Sequence, residues 1–162
     1  MIAWDRRPVE TASLFNPAFC SLLLRQSISG YALERSDGMT YILAFLVLPI
    51  VLHRFTREQL PSKISTKMHA WLNSQGEVKV QFPERVRAIN PYTREGLTYG
   101  LQSNLFSIDE NGKLLPISRK IKMPWKLQSE SSSCSQKAEF VGRWLAQAGE
   151  PGTIYHMWGI RP

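Results

Sequence analysis

The chain is poor in the residues that build most catalytic and metal centres. It has two cysteines, Cys20 and Cys134, and three histidines, His53, His69 and His156. The cysteines lie far apart and lack metal-type spacing, so the expectation is two buried or idle thiols in a reducing compartment, with no disulfide. The histidines are as scattered, and none has a second histidine or a carboxylate at the spacing of a His-Glu-x-x-His helix, which argues against a metal site. His69, beside Trp71, reads as a helix-surface or partly buried residue. The chain also lacks a Gly-x-Ser-x-Gly nucleophile elbow, a phosphate-cradling Gly-x-x-x-x-Gly-Lys loop and a dinucleotide fingerprint. Cys20 sits among Phe19, Leu22 and Leu23, where a small buried hydrophobe is expected rather than a reactive thiolate. The chain therefore reads as non-enzymatic, with no cofactor and no metal.

Long hydrophobic runs are missing too. The longest, Tyr41 to Leu52, is 12 residues and contains Pro49, against the roughly 20 residues a membrane-spanning helix needs. It reads as core, and no membrane partner is expected. Met1 to Pro8 carries Trp4, Asp5, Arg6 and Arg7 with no apolar stretch behind the basic pair, so a secretory signal is not expected and the location is taken as cytoplasmic. What is present suits a folded chain: 162 residues, 43% hydrophobic and 20% charged, enough to bury one core. The reading is a single domain over residues 1–162. The formal net charge of +7 fits either an anionic partner or a solvated basic surface.

Along the chain, Asn16-Pro17 predicts a helix start, followed by Phe19, Leu22, Leu23 and Gln26 at helical spacing and a stop at Gly30. The continuous hydrophobicity of Tyr41–Leu52 fits a fully buried helix or a buried strand, and a helix kinked near Pro49 is the favoured reading. Leu60-Pro61 precedes a helix bearing Met68, Trp71 and Leu72, stopped at Gly76. Val80 and Phe82 alternate as a strand would, but Val86 and Ile89 continue at helical spacing. A second Asn90-Pro91 pair predicts a new helix running to Asn104. Asp109-Glu110-Asn111-Gly112, between Leu105–Ile108 and Lys113–Ile117, predicts a β-hairpin, because Asn-Gly accepts the positive φ of a tight turn. Ser118 to Ser135 shows no persistent apolar period and reads as a mobile basic and serine-rich loop over about 118–135. A last helix from about Ser135 buries Phe140, Val141, Trp144 and Leu145 and ends at Gly149. The expected fold is mainly α with one β-hairpin (α+β), a compact helical domain of winged-helix-like form.

In a winged helix, the helix before the hairpin enters the major groove. Here that helix, Pro91 to Asn104, carries Arg94, Gln102 and Asn104 but also Glu95 and no lysine, which is poor equipment for phosphate neutralisation or base reading. The basic groups lie elsewhere: Arg119, Lys120, Lys122 and Lys126 past the hairpin, and Arg54, Arg57, Lys63 and Lys67 earlier. Each set could follow a phosphate backbone without reading sequence, or be solvated loop charge that meets an acidic partner surface. Trp4, Trp125 and Trp158 fall in loop or terminal segments, where they serve as interface hot spots or complete the core.

Several segments together carry a family likeness: Asn16-Pro17-Ala18-Phe19-Cys20, Leu22-Leu23-Leu24, Leu43 to Pro49 with His53, His69-Ala70-Trp71-Leu72, Pro91-Tyr92-Thr93-Arg94-Glu95 with Gly100-Leu101-Gln102, Gly142-Arg143-Trp144, and Trp158-Gly159-Ile160-Arg161-Pro162. In this order they resemble the middle component of three-component ABC (SMC-like) ATPase systems, whose relatives include the small subunit of Lamassu-type anti-phage defence. The resemblance implies a non-enzymatic adaptor between an SMC-like coiled-coil ABC ATPase and an effector, often a nuclease, in a bacterial defence complex. DNA would be met through the assembled complex. The family implies no catalytic residues to carry over. Polar positions inside the apolar blocks, Thr93, Arg94, Glu95, Arg143 and Arg161, with Trp125 and Trp158, are the expected partner-binding residues. The hairpin and the basic loop match the family least. The alternative is a stand-alone winged-helix DNA-binding transcription regulator, which would bind DNA alone and usually as a dimer.

Overall fold

A computed structural model describes residues 6–118 and 120–160. A short helix, α1 (Val9–Leu14), leads into α2 (Pro17–Glu34). As the sequence predicts, the Asn16 side chain caps α2, accepting from the amides of Ala18 and Phe19 at 2.9 and 3.3 Å with Pro17 in the first turn. Cys20, Leu23, Leu24, Ile28 and Tyr31 are buried along one broad face of α2, around which the other elements pack.

After α2 come a two-residue strand β1 (Met39–Thr40), a 3-10 turn (Tyr41–Leu43), and helices α3 (Ala44–Val51), α4 (Arg54–Gln59) and α5 (Met68–Ser74). A second 3-10 turn (Gly76–Lys79) leads to α6 (Phe82–Gln102), strands β2 (Phe106–Ile108) and β3 (Lys113–Pro116), then α7 (Glu130–Gln147) and α8 (Pro151–Met157). The domain is mainly α with a small antiparallel sheet, as expected. The apolar run is helical, and Leu46, Val47, Leu48, Ile50 and Val51 are fully buried. Each such side chain contributes about 1.5–3 kcal/mol over leaving it in water.

Four boundaries differ from those the sequence predicts. First, Gly30 does not stop α2; it is a crossing point. A methyl at Gly30 would overlap the backbone carbonyl of Glu139, and one at Gly142 that of Ser27. The two glycines thus let α2 and α7 approach backbone to backbone. Second, Asn90-Pro91 starts no new helix. Pro91 lies inside α6, where it removes one amide donor. One buried stripe, Val86, Ile89, Thr93, Gly96, Leu97 and Gly100, continues past it on both sides, and that burial outweighs the missing bond. Third, the serine tract is not loop from residue 129 onward: the Ser129 hydroxyl caps α7 by accepting from the Ser132 amide at 3.1 Å. Ser132 and Ser135 are buried in its first turns, where small side chains permit close packing. Fourth, Trp158 follows a short final helix rather than a loose aromatic tail.

The hairpin forms where predicted. Asp109 Oδ1 accepts from the amides of Asn111 and Lys113 at 2.9 and 2.8 Å, and Gly112 adopts φ 72°. A third strand joins it, giving the order β1-β3-β2, with Leu114 between Met39 and Ile108. Two-residue β1 is too short to carry a period in sequence. A tryptophan cluster completes the core: Phe82 stacks on Trp158 at 4.3 Å, and Trp71 meets Trp144 edge-on at 5.2 Å. The Trp71 and Trp144 indoles donate to the carbonyls of Gln59 and Thr66 at 3.1 and 2.6 Å, which makes their burial tolerable.

Candidate functional site

Two surface features stand out, a groove and a basic strap. The groove, of about 480 Å³, lies between α1, α2, α4 and α7. Leu14, Phe19 and Leu52 line it beside Arg57, Glu130 and Cys134. Its outer wall is thin, since none of the residues of α1 is buried, and Val9 and Leu14 are exposed apolar side chains. The arm is held at both ends. Arg7 makes a bidentate pair with Glu95 at 2.8 and 2.5 Å and lies over the Tyr92 ring, while Phe15 stacks on Tyr92 at 4.2 Å.

The polar groups under the groove serve the architecture. Buried Arg57 donates Nη1 to the Val51 carbonyl at 2.8 Å and Nη2 to Glu130 at 2.7 Å. The Cys134 thiol is directed at the same carbonyl at 3.9 Å. Both therefore satisfy the end of α3, where helix carbonyls lack partners and a cation meets the negative end of the dipole. Burial pushes the Cys134 thiol above its ordinary range; burial first, then the charge of Glu95, pushes Cys20 to about 12. Neither is a thiolate at neutral pH. His53 caps α4, its Nδ1 accepting from the Thr56 amide at 3.3 Å and lying 2.8 Å from the Thr56 hydroxyl. Burial, followed by the charges of Arg85 and Arg57, holds its pKa below the usual value. Among the described residues, no group of three or more His, Cys, Asp or Glu is arranged to hold a metal ion.

The strap is the segment after β3. From 120 to 126 its exposure alternates: Lys120, Lys122, Pro124 and Lys126 face solvent, whereas Ile121, Met123 and Trp125 are half-buried. Ile121 packs against the core, and Trp125 meets Phe19 of α2 edge-on at 5.8 Å. The expectation of a loop without apolar period is corrected here: Ile121-x-Met123-x-Trp125 carries a period of two, short enough to be overlooked in a serine-rich and basic stretch.

The predicted partner-binding residues do not converge. Thr93 is fully buried, its hydroxyl donating to the Ile89 carbonyl at 3.3 Å, and Trp158 is fully buried against Phe82. Both are core, because Thr93 falls on the buried stripe of α6 and α8 folds Trp158 inward. Glu95 is held by Arg7. Arg143 pairs with Glu34, whose carboxyl is kept below its usual range by the Gln147 amide first and Arg143 second. Arg94 is exposed on α6, away from the buried stripe, as are Arg87, Thr98 and Gln102. Trp125 is half-buried as described. Arg119 and Arg161 lie outside the described residues. In the earlier basic group, Arg54 pairs with Glu58 at 2.7 Å, Arg57 is buried, and Lys63 and Lys67 are exposed.

Fold and surface together define a small, mainly helical domain, several of whose charged and thiol groups are engaged in its own architecture. The chain matches the family model described as ABC-three component (ABC-3C) system Middle Component 3 over residues 4–162, and it belongs to that family. No curated protein and no solved structure matches it. No helix among the described residues is long and apolar enough to cross a membrane.

Proposed function

We propose that the chain is a non-enzymatic adaptor that bridges an SMC-like coiled-coil ABC ATPase and an effector, of nuclease type, in a bacterial anti-phage or anti-plasmid complex of the Lamassu kind. The observation that carries this reading is membership of a middle-component family along essentially the whole fold. The surface supports it: α1, with exposed Val9 and Leu14, borders an open groove, and Arg94 stands exposed on α6. Arg143 and Glu95, engaged in intramolecular pairs, would frame such an interface rather than anchor it. The subunit acts in the cytoplasm and meets DNA within the assembled complex.

The test is affinity purification of the tagged chain co-expressed with its chromosomal neighbours, in nuclease-treated lysate at moderate salt. Recovery of a coiled-coil ATPase and an effector in stoichiometric amounts is the expected result. Arg94→Glu should weaken that recovery without changing the fold. Recovery of the bait alone, together with sequence-specific DNA binding as a dimer, would overturn the adaptor reading in favour of a winged-helix transcription regulator.

A further inference from the structure

We infer that the strap over residues 120–126 is a sequence-independent contact for the phosphate backbone of duplex DNA, built into this chain itself. The inference does not rest on the adaptor reading. Four observations carry it. The sequence from Asn111 to Ser129 contains no acidic residue but five cations: Lys113, Arg119, Lys120, Lys122 and Lys126. The alternating exposure turns Lys120, Lys122 and Lys126 to solvent while Ile121 and Trp125 fasten the segment to the body. None of these three lysines makes an ion pair with a described residue, whereas six of the seven ion pairs among the described residues are made by arginines. Trp125 is turned toward Phe19, and the solvent-facing positions of 120–126 hold three lysines and a proline, without an aromatic ring on which an unpaired base could stack.

Each observation selects among partners. The planar fork of arginine fits carboxylate and phosphate alike in a fixed geometry, and this chain uses it for its own pairs; the unpaired lysines of the strap are compact point charges that can meet phosphates in no fixed orientation. Without exposed stacking rings the strap lacks the means by which single strands are bound, which leaves the duplex backbone. Lys120 to Lys126 spans at most about 20 Å at roughly 3.3 Å per residue. Duplex DNA presents about 12 phosphates over that length, so all three ammonium groups can find one at once.

The magnitude follows from counterion release. Three phosphate contacts give a slope of log affinity against log salt near −2.7, about a 40-fold weakening between 50 and 200 mM salt. The experiment is fluorescence anisotropy of the full chain with labelled duplexes of two unrelated sequences, titrated across that salt range. The expected result is binding at 50 mM salt that differs by less than about twofold between sequences and has that slope. The triple variant K120E/K122E/K126E should lose it, with an unchanged melting curve, while the control K63E/K67E should keep it. Failure of the wild type to bind at 50 mM salt, or equal binding by the triple variant, overturns the proposal. Tighter binding to polyglutamate than to duplex at equal charge concentration also overturns it and assigns the strap to an acidic protein segment.

Discussion

Gly142→Ala is the sharpest test of the packing that holds the molecule together. A Cβ added there would lie 2.7 Å from the Ser27 carbonyl carbon and 2.9 Å from its Cα, against roughly 3.5–4.0 Å at the van der Waals optimum. The obstruction is backbone inside a helix, so no side chain can swing away, and α2 and α7 must part by about 1 Å. Overpacking of this kind costs about 1–3 kcal/mol or more. Looser packing along the rest of the α2–α7 seam adds to this, and alanine's better helix propensity returns about 1 kcal/mol. A net loss of about 2–3 kcal/mol is expected, or roughly 4–12 °C in Tm for a domain of this size. Two other glycines calibrate the argument. At Gly96 the added Cβ would meet side chains, Cys20 Cβ at 3.0 Å and Leu24 Cδ1 at 3.2 Å, so Gly96→Ala should cost about 1 kcal/mol. At exposed Gly152, in α8, nothing lies within 4 Å, and Gly152→Ala should be neutral or stabilising by up to about 1 kcal/mol. Urea unfolding followed by circular dichroism ranks the three variants. A Gly142→Ala protein within about 0.5 kcal/mol of wild type would refute the close α2–α7 crossing.

Trp158→Ala should cost about 3–5 kcal/mol in the same assay, as expected for emptying a buried aromatic site; wild-type stability with loss of partner capture would return Trp158 to the interface. His53 predicts a pH dependence with a definite sign. Its folded pKa lies below the unfolded value, so the unfolded chain binds more protons once the pH falls beneath about 6.5. The stabilisation it contributes is present above that pH and is lost as the pH falls toward the depressed folded value, where the imidazolium can no longer accept from the Thr56 amide. Unfolding midpoints measured from pH 7.5 to 5.5 should fall in the wild type. They should fall less in His53→Asn, which keeps a capping oxygen that does not titrate; parallel profiles would sink the assignment.

What the sequence made legible and what it hid separate along one physical line. Signals that act within a few residues were readable: the Asn16-Pro17 cap, the Asn111-Gly112 turn and the apolar run that becomes α3 all form where local chemistry demands. Signals that depend on what lies across the fold were not. Gly30 looks like a stop until α7 is seen to need its missing side chain, and Asn90-Pro91 looks like a start until the buried stripe on both sides of it is known. The same limit governed the interface residues. Thr93, Arg94 and Glu95 are consecutive and polar, yet a helix turns each through about 100°, so one faces the core, one faces solvent and one meets Arg7 of the arm. Polarity alone therefore overstates an interface on a helix, because a hydroxyl can be satisfied by its own helix and a carboxylate by a distant arm. On the strap the reverse holds. There an alternation present in the sequence, Lys120 to Lys126 with apolar residues between, coincides with the observed exposure, and it needs no long-range partner beyond one apolar face to lie on. Its lysines thus face solvent by a local pattern that the serine-rich, basic stretch masks in the sequence.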